Sequence, residues 1–387
     1  MRKICVVTGS RAEYGIMSRM IRLINDADQT QLQLIATNMH LSPKYGETYK
    51  EIEADGIHID KKIPILDEEH DDAKATLGAM AKALNGFADA YNELNPDLIV
   101  VLGDRFEILA AVIAAMIEGR PIAHIGGGNL TEGAYDDAIR HSITKMSHLH
   151  FCSTDENRRR IIQLGEQPDH VFNFGSPGIE NILKMPLMNQ EELGNTIPFE
   201  VDRKTLLVTY HPMTLSSGSV LEDIRAFLKA LDARKDFKII FTMPNSDTGG
   251  NQIIEEITRF VEVNSERACA FKSLGLKRYL SVMHFAGAVV GNSSSGIVEA
   301  PSFNIPTLDI GDRQKGRMAA DSVYHCATDT GSILKGLEYI FSEEFQHVVK
   351  TCQNPYDKPN TAESIFNVLS TFPLDNIIKK HFYQIPQ

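Results

Sequence analysis

"DLIVVLGDRFEILAAVIAAMIEGRPIAHIGGG", residues 97–128, decides how this chain folds. Two short apolar runs, 97–104 and 121–128, flank a segment, 106–119, whose apolar residues recur with helical spacing. Each run ends in Gly or Asp. Apolar residues stand at consecutive positions rather than alternating with polar ones, so both faces of each strand are covered, as in a parallel sheet with helices on either side. Strand, helix and strand in that order form a βαβ unit.

The same grammar continues in both directions. "KICVVTG" (3–9), "LQLIAT" (32–37) and "LHFCST" (149–154) read as strands, and "YGIMSRMIRLINDA" (14–27) as a helix. Near 175 the pattern restarts. "KTLLVTYHP" (204–212), "FKIIFTMPN" (237–245), "AGAVVGNSSSG" (286–296) and "IPTLDIGD" (305–312) alternate with helices, among them 219–232 and 251–263. An α/β fold of two doubly wound, Rossmann-like domains follows, over 1–175 and 176–365, with 176–193 as the link. Helices over about 361–385 are expected, with 366–387 packing back on the first domain. A length of 387 residues, too great for one ordinary core, agrees.

Composition narrows the function. With 43% hydrophobic and 23% charged residues the chain reads as a soluble globular protein. Thirty-nine basic against 51 acidic residues give a net charge of −12, which argues against a nucleic-acid or anionic-membrane partner. A locally basic pocket for a small anion stays open. The five cysteines (Cys5, Cys152, Cys269, Cys326, Cys352) are odd in number and form no CxxC pair, so neither a disulfide framework nor a structural zinc site is expected. The start, "MRKICVVTGS", is too short for a signal peptide, and no window has the apolar length of a membrane span. A cytoplasmic location is expected.

In open parallel sheets, ligands bind beyond the carboxyl ends of the strands, and the unusual polar clusters fall there in both halves. In "GSRAEYG" (9–15), Arg11 stands near a helix start, as an anion anchor or as a solvent-facing residue of a tight turn. The spacing lacks the full GxGxxG of nicotinamide or flavin sites. "GNSSSGIVEAP" (291–301) offers serine hydroxyls and backbone N–H groups to a pyrophosphate, and Glu299 to ribose hydroxyls; the alternative is an ordinary helix cap with a satisfied glutamate. Asp104 and Arg105 of "GDRFE" (103–107) are either functional or an ion pair with each other. His211 of "YHP" (210–212) and the cations Arg313, Lys315 and Arg317 of "GDRQKGR" (311–317) end two further strands, with structural and solvated alternatives. "HIGGGNLTEGAYDDAIRH" (124–141) holds His124, Glu132, Asp136, Asp137 and His141, groups suited to moving protons. Arg140 and His141 have the alternative of simply holding those carboxylates. No HExxH, Walker A or protease-type pair is present.

In order, "TGSRAEYG", "VLGDRFE", "TEGAYDDAIRHSITKMSHLHF", "QLGE", "GNSSSG" and "IGDRQKGR" resemble the hydrolysing UDP-N-acetylglucosamine 2-epimerases of sialic-acid biosynthesis and their legionaminic-acid relatives, over nearly the whole chain. The resemblance implies two Rossmann-like domains of glycosyltransferase-B type with UDP in the cleft. It also implies a homodimer and a reaction needing no metal and no cofactor. UDP leaves C1 as C2 loses its proton, giving a 2-acetamidoglucal; water then adds to release N-acetylmannosamine with C2 inverted. Carried over by motif, Arg11, Arg105, His211, Asn245, Ser293, Ser294, Glu299 and Arg313 bind UDP. Asp104 and Asp136 are the acid–base candidates, and Glu132, Asp137 and His211 complete the catalytic set. The chain departs from the family where members read HIEGGE or HIHGGE. Gly126 stands where a glutamate is frequent, and Asn129 where a second one is. Either Glu132, Asp137, His124 or His141 takes over, or the pocket is shaped for another sugar, and the TEGA segment resembles relatives acting on 2,4-diacetamido-2,4,6-trideoxy sugars. A glycosyltransferase of the same fold, a nucleotide-sugar-binding protein without turnover and a non-hydrolysing epimerase are the competing readings.

Overall fold

In the computed structural model, residues 1–387 are described except 68, 71, 131–134, 213–218, 245–249, 273 and 387, and the side chain of Asn251. The chain starts as β1 (Arg2–Thr8), α1 (Arg11–Asp26), β2 (Thr30–Thr37), α2 (Tyr49–Ala54), β3 (Lys61–Ile63), α3 (Ala73–Leu94) and β4 (Leu98–Leu102). It continues through α4 (Phe106–Ile117), β5 (Ile122–Ile125), α5 (Tyr135–Met146), β6 (Leu149–Cys152), α6 (Asp155–Gln163) and β7 (Val171–Asn173). The seven strands form one parallel sheet in the order β3-β2-β1-β4-β5-β6-β7.

The consecutive apolar residues of each strand divide between the two faces of this sheet, because successive side chains point to opposite sides. On one face Ile4, Val6, Leu98 and Val100 pack against Met17, Ile21 and Ile24 of α1. On the other, Cys5, Val7, Ile99 and Val101 meet Phe87 and Tyr91 of α3 and Ile108, Ala111 and Val112 of α4. Each fully buried branched side chain contributes about 1.5–3 kcal/mol relative to exposure, so a central strand such as β1 is anchored from both sides.

Next come α7 (Pro177–Lys184), α8 (Gln190–Gly194), β8 (Thr205–Thr209), α9 (Val220–Ala233), β9 (Lys238–Thr242), α10 (Gly250–Val263) and β10 (Ala268–Phe271). They are followed by α11 (Leu276–Phe285), β11 (Ala288–Gly291), α12 (Ser294–Val298), β12 (Thr307–Ile310), β13 (Val323–Cys326), α13 (Thr330–Ile340) and α14 (Glu343–Thr351). The second sheet is also parallel, in the order β10-β9-β8-β11-β12-β13. Leu206 and Val208 face the core under α9 and α13, while Leu207 and Val289 face the core under α11.

The two compact units are Met1–Asn181 with Tyr356–Gln387, and Ile182–Pro355. The boundaries thus lie beyond 175 and ahead of 366, where the sequence reading placed them. Local bonds explain both shifts. The Asn181 amide donates to the carbonyls of Gly15 (2.8 Å) and Ile16 (2.9 Å), holding that residue to the first unit. On the return, Ser176 N donates to Tyr356 O (2.8 Å). The last helix, α15 (Thr361–Thr371), packs Ala362, Ile365 and Leu369 on the first unit's core. The helical stretch expected to reach 385 ends at Thr371, because Pro373 disfavours helical backbone at Phe372. Beyond it the chain runs over the first unit without helix, with Tyr383 N donating to Gly165 O (2.8 Å). Among the described residues no helix is long and apolar enough to cross a membrane.

Candidate active site

Each sheet reverses its direction of winding once, between β1 and β4 in the first unit and between β8 and β11 in the second. Such switch points are where open parallel sheets bind ligands, and the motif residues sit on both.

In the first unit the centre of the site is a buried guanidinium. Arg140 of α5, its side chain 5% exposed, is paired with Asp104 after β4 and lies 3.3 Å from Asp137. It also donates to the carbonyl of Asn129 (2.9 Å). One side chain therefore ties the β4 turn, the glycine turn after β5 and the first turn of α5. Asp136 lies partly buried in that same first turn. Burial, and next the negative charge of Asp104, push its carboxyl above the usual carboxylate range, against the opposing pull of Arg105 and Arg140. One carboxylate held by an arginine beside another pushed towards its acid form divides two like groups into an anion and a proton carrier.

The neighbouring Arg105 takes a different partner. Asp104 and Arg105 do not pair with each other; Arg105 Nε donates to Glu107 Oε1 at 2.8 Å. Glu107 is wholly buried and also accepts from the Asn38 amide. Glu13 is buried beside it and accepts from Gly9 N (2.7 Å); burial first, then the Glu107 charge, raise the Glu13 carboxyl to about 8. Neither glutamate was singled out from the sequence. The signal was there for Glu107, a lone charge at the head of "FEILAAVIAAMI", whose helix face is otherwise core.

The remaining first-unit candidates are placed as follows. Arg11 begins α1 and pairs with Glu51 of α2 at 2.8 Å, both well exposed. Asp137 approaches His141 Nε2 (3.5 Å) as well as Arg140. His124 is fully buried; its Nδ1 meets Thr144 Oγ1 (3.2 Å), its Nε2 meets Gly103 O (2.9 Å), and burial lowers its pKa to about 3. A neutral imidazole so held is a strut under the Gly103–Asp104 turn. At the position where glutamate is frequent, Gly126 adopts φ +85°. Asn129 uses both ends of its amide, donating to Gly126 O (3.2 Å) and accepting from Asn157 Nδ2 (2.9 Å). Glu132 lies outside the described residues.

In the second unit the organising residue is Asn292, part of a strand-end polar cluster in the sequence but given no role there. It is fully buried. Its Oδ1 accepts from His211 N (2.7 Å) and its Nδ2 donates to His211 O (2.8 Å), so the ends of β8 and β11 are clamped together. Its carbonyl accepts from Arg313 (3.0 Å) and Gln314 (2.9 Å), which draws in the 311–317 loop. Gly291 before it is compulsory: it takes φ +136°, and a Cβ there would stand 2.0 Å from Thr209 O. Ser293 caps α12, accepting from Ser295 N (3.4 Å), and Ser294 is the helix's first residue. Glu299 is drawn back by Ser295, whose hydroxyl donates to Oε2 at 2.6 Å while accepting from Tyr279 Oη (3.0 Å). Burial raises the Glu299 carboxyl. His211, Ser293, Ser294, Glu299 and Arg313 thus share one loop cluster. Asn245 lies outside the described residues.

A pair of Rossmann-like parallel sheets, each with polar loops at its switch point, is the glycosyltransferase-B-like architecture. Comparison with known proteins narrows this. Residues 22–370 match the family model for UDP-N-acetylglucosamine 2-epimerase, and the chain belongs to that family. It is 40% identical over 385 residues, 99% of either chain, to the GDP/UDP-N,N′-diacetylbacillosamine 2-epimerase (hydrolyzing) of Campylobacter jejuni. It is 38% identical to the polysialic acid biosynthesis protein P7 of Escherichia coli, covering 100% of this chain and 98% of that one. The crystal structure of UDP-GlcNAc 2-epimerase from Neisseria meningitidis bound to UDP-GlcNAc matches 95% of this chain and 99% of that one, with a TM-score of 0.72 at 18% identity. The fold is therefore that of the 2-epimerases, and the chain groups with the hydrolysing nucleotide-sugar 2-epimerases.

Proposed function

We propose that this enzyme hydrolyses and epimerises UDP-linked 2,4-diacetamido-2,4,6-trideoxyglucose (N,N′-diacetylbacillosamine), releasing UDP and the free sugar inverted at C2. The observation that carries the chemistry is the pair of unlike carboxyls, Asp104 held by Arg140 and Asp136 raised beside it. The sugar is argued from the full-length likeness to the Campylobacter jejuni relative and from the TEGA segment. UDP-N-acetylglucosamine, giving N-acetylmannosamine on a route to sialic acid, is the second reading, supported by the family and by the ligand of the Neisseria structure.

The steps balance without an external oxidant or reductant. The C2–H bond breaks to a base, its electron pair forms the C1–C2 double bond, and the C1–O bond to UDP breaks with its electrons leaving on the diphosphate. Water then adds across the double bond, oxygen to C1 and a proton to C2 from the opposite face. Asp136, whose carboxyl burial and the Asp104 charge push above the usual carboxylate range, serves as the proton carrier, with Asp104 as its charged neighbour. Asp137, His211 and Glu132 are the supporting candidates. Arg11, Arg105, Asn245, Ser293, Ser294 and Arg313 hold the diphosphate, and Glu299 accepts from ribose hydroxyls.

The test is incubation in heavy water with UDP-diacetylbacillosamine, its GDP-linked counterpart and UDP-N-acetylglucosamine. Proton NMR is expected to show free reducing sugar with deuterium at C2, fastest from the UDP-diacetamido substrate. Faster turnover of UDP-N-acetylglucosamine moves the assignment to the second reading. No free sugar from any of them, or a product still attached to UDP, overturns hydrolytic epimerisation.

A further inference from the structure

The first unit holds a second pair of carboxyls. Glu13 and Glu107 come from different helices, α1 and α4, yet both press on Gly9. Glu13 Oε2 accepts from Gly9 N at 2.7 Å, and a Cβ on Gly9 would stand 2.7 Å from Glu107 Oε1. Glu107 has no exposed surface and Glu13 is 6% exposed. Glu107 Oε1 is used twice, by Arg105 Nε and by the Asn38 amide, whereas Glu107 Oε2 is buried with no hydrogen-bond partner among the described residues. An ionised oxygen left bare in the interior is costly, and two bare charges are costlier. Among the described residues one cation, Arg105, pairs with them, so a single negative charge is balanced and the second carboxyl keeps its proton.

We propose that Glu107 is a positioning residue for the proton-transfer site: it fixes Arg105 through Nε, and with Glu13 holding the pair's one proton it sets how much positive charge Arg105 presents to Asp136. The proposal rests on the reading of Asp136 as proton carrier. Among the described residues the charges that act on Asp136 are those of Asp104, Arg105, Arg140 and Glu107, with Asp137 and His141 on its own helix. Arg105 in turn faces Glu107, Glu13 and Asp136. Removing the Glu107 charge leaves Arg105 uncompensated and favours the ionised form of Asp136. Removing Arg105 does the opposite. A residue that merely fills space would shift neither.

The experiment pairs Glu107→Gln with Arg105→Gln. Glutamine retains the Oε1 acceptor that Asn38 and Arg105 use. The readout is the limb of the kcat pH profile that disappears in Asp136→Asn. Glu107→Gln is expected to move that limb to lower pH by about one unit, the scale of a neighbouring charge, and Arg105→Gln to move it upward. A kcat effect larger than the KM effect is expected for Glu107→Gln. Modification of Arg105 by a dicarbonyl reagent, followed by mass spectrometry, is expected to be several-fold faster in Glu107→Gln than in the unmodified sequence. Infrared difference spectra are expected to show a buried carboxylic acid carbonyl at pH 7 that Glu13→Gln removes. Limbs that stay in place, or that move together, overturn the proposal. Should Glu107→Gln lose its cooperative unfolding, the upward shift in Arg105→Gln decides. If no nucleotide sugar is turned over at all, the proposed function has failed; the labelling rate of Arg105 and the infrared band then still support or overturn the pairing by themselves.

Discussion

Three glycines in a row, Gly126, Gly127 and Gly128, look interchangeable in the sequence and are not in the structure. Gly126 takes φ +85°, but a Cβ there would meet nothing nearer than Gly103 N at 4.0 Å. Its replacement by alanine faces only the left-handed backbone, a cost of about 1–2 kcal/mol. No left-handed φ constrains Gly127, yet a Cβ would stand 2.8 Å from Thr144 Oγ1 and 3.1 Å from His124 Nδ1. A hydroxyl can rotate away, so the expected loss is about 2 kcal/mol, mostly from breaking the bond that satisfies a buried imidazole. Gly128 combines both faults: φ +81°, and a Cβ 2.6 Å from the Asn157 carbonyl oxygen, which is backbone and cannot turn aside. Adding strain to overpacking gives about 3–4 kcal/mol.

At about 2–4 °C per kcal/mol for a unit of this size, Gly126→Ala should melt roughly 5 °C low and Gly128→Ala roughly 10 °C low. Differential scanning calorimetry of the three single variants reads the order directly. Activity should follow the same order, because the Gly128 carbonyl is held by Arg160 and the adjoining Asn129 carbonyl by Arg140, the partner of Asp104. At its Cβ, Gly126→Glu should meet no more than Gly126→Ala does. A Gly128→Ala variant as stable as Gly126→Ala would refute the reasoning, because it would mean that the turn yields where the geometry makes it rigid.

Asp136→Asn should lower turnover by about 10²–10⁴, the usual scale for an acid–base group, with UDP affinity close to normal by calorimetry; an unchanged rate removes Asp136 from the chemistry. Asp104→Asn should lower turnover too, and should also reduce thermal stability, because Arg140 would keep its charge in a buried place without its partner. For Glu299→Gln the expected change is weaker UDP binding with little effect on folding; an unaltered dissociation constant would end the ribose assignment. Glu166 reports on stability rather than chemistry. Burial alone would raise its carboxyl, but hydrogen bonds from His150 (3.0 Å), Lys145 (2.7 Å) and Lys380 hold it down at about 2. A folded value below the unfolded one stabilises the protein above about pH 4.5, and that contribution, about 3 kcal/mol, fades as pH falls towards 2. The stability gap between the natural sequence and Glu166→Gln, measured by urea unfolding, should therefore shrink on acidification; a gap that does not change with pH contradicts the ion cluster.

Strands buried on both faces were legible because their residues are apolar without alternation, as in 97–104 and 204–212. The four that went unread are the first sheet's edges, β3 and β7, and the second sheet's edges, β10 and β13. An edge strand is covered on fewer sides, so β3 reads "KKI", with one apolar residue among three, too little to distinguish it from a loop. The loop clusters at the strand ends were legible as clusters, because Gly, Asp, Ser and Arg gather where a strand hands over to a helix. Their pairing was not. Adjacent Asp104 and Arg105 invite an ion pair, yet the turn at Gly103 sends them to Arg140 and Glu107. Asn292, sandwiched between a glycine and three serines, gives no sign in the sequence that it clamps the far strand end.

Those pairings decide what the acids can do. Had Asp104 and Arg105 neutralised each other, Asp136 would face a neutral dipeptide and an Arg140 relieved of its Asp104 partner, and would be drawn towards its ionised form. Because Arg140 is taken by Asp104, Asp137 and the Asn129 carbonyl, and Arg105 by Glu107, each cation reaching Asp136 is already partly spent. Burial and the Asp104 charge then win, and the Asp136 carboxyl rises. On the proposed reading of Asp136 as proton carrier, its raised carboxyl therefore depends less on the presence of aspartates than on the diversion of both arginines to other partners. Substituting Asn129 tests this at a distance. Its side chain bonds to no acid among the described residues, yet losing its bonds to Gly126 O and Asn157 should free the carbonyl that engages Arg140, return positive charge to Asp136 and lower its pKa.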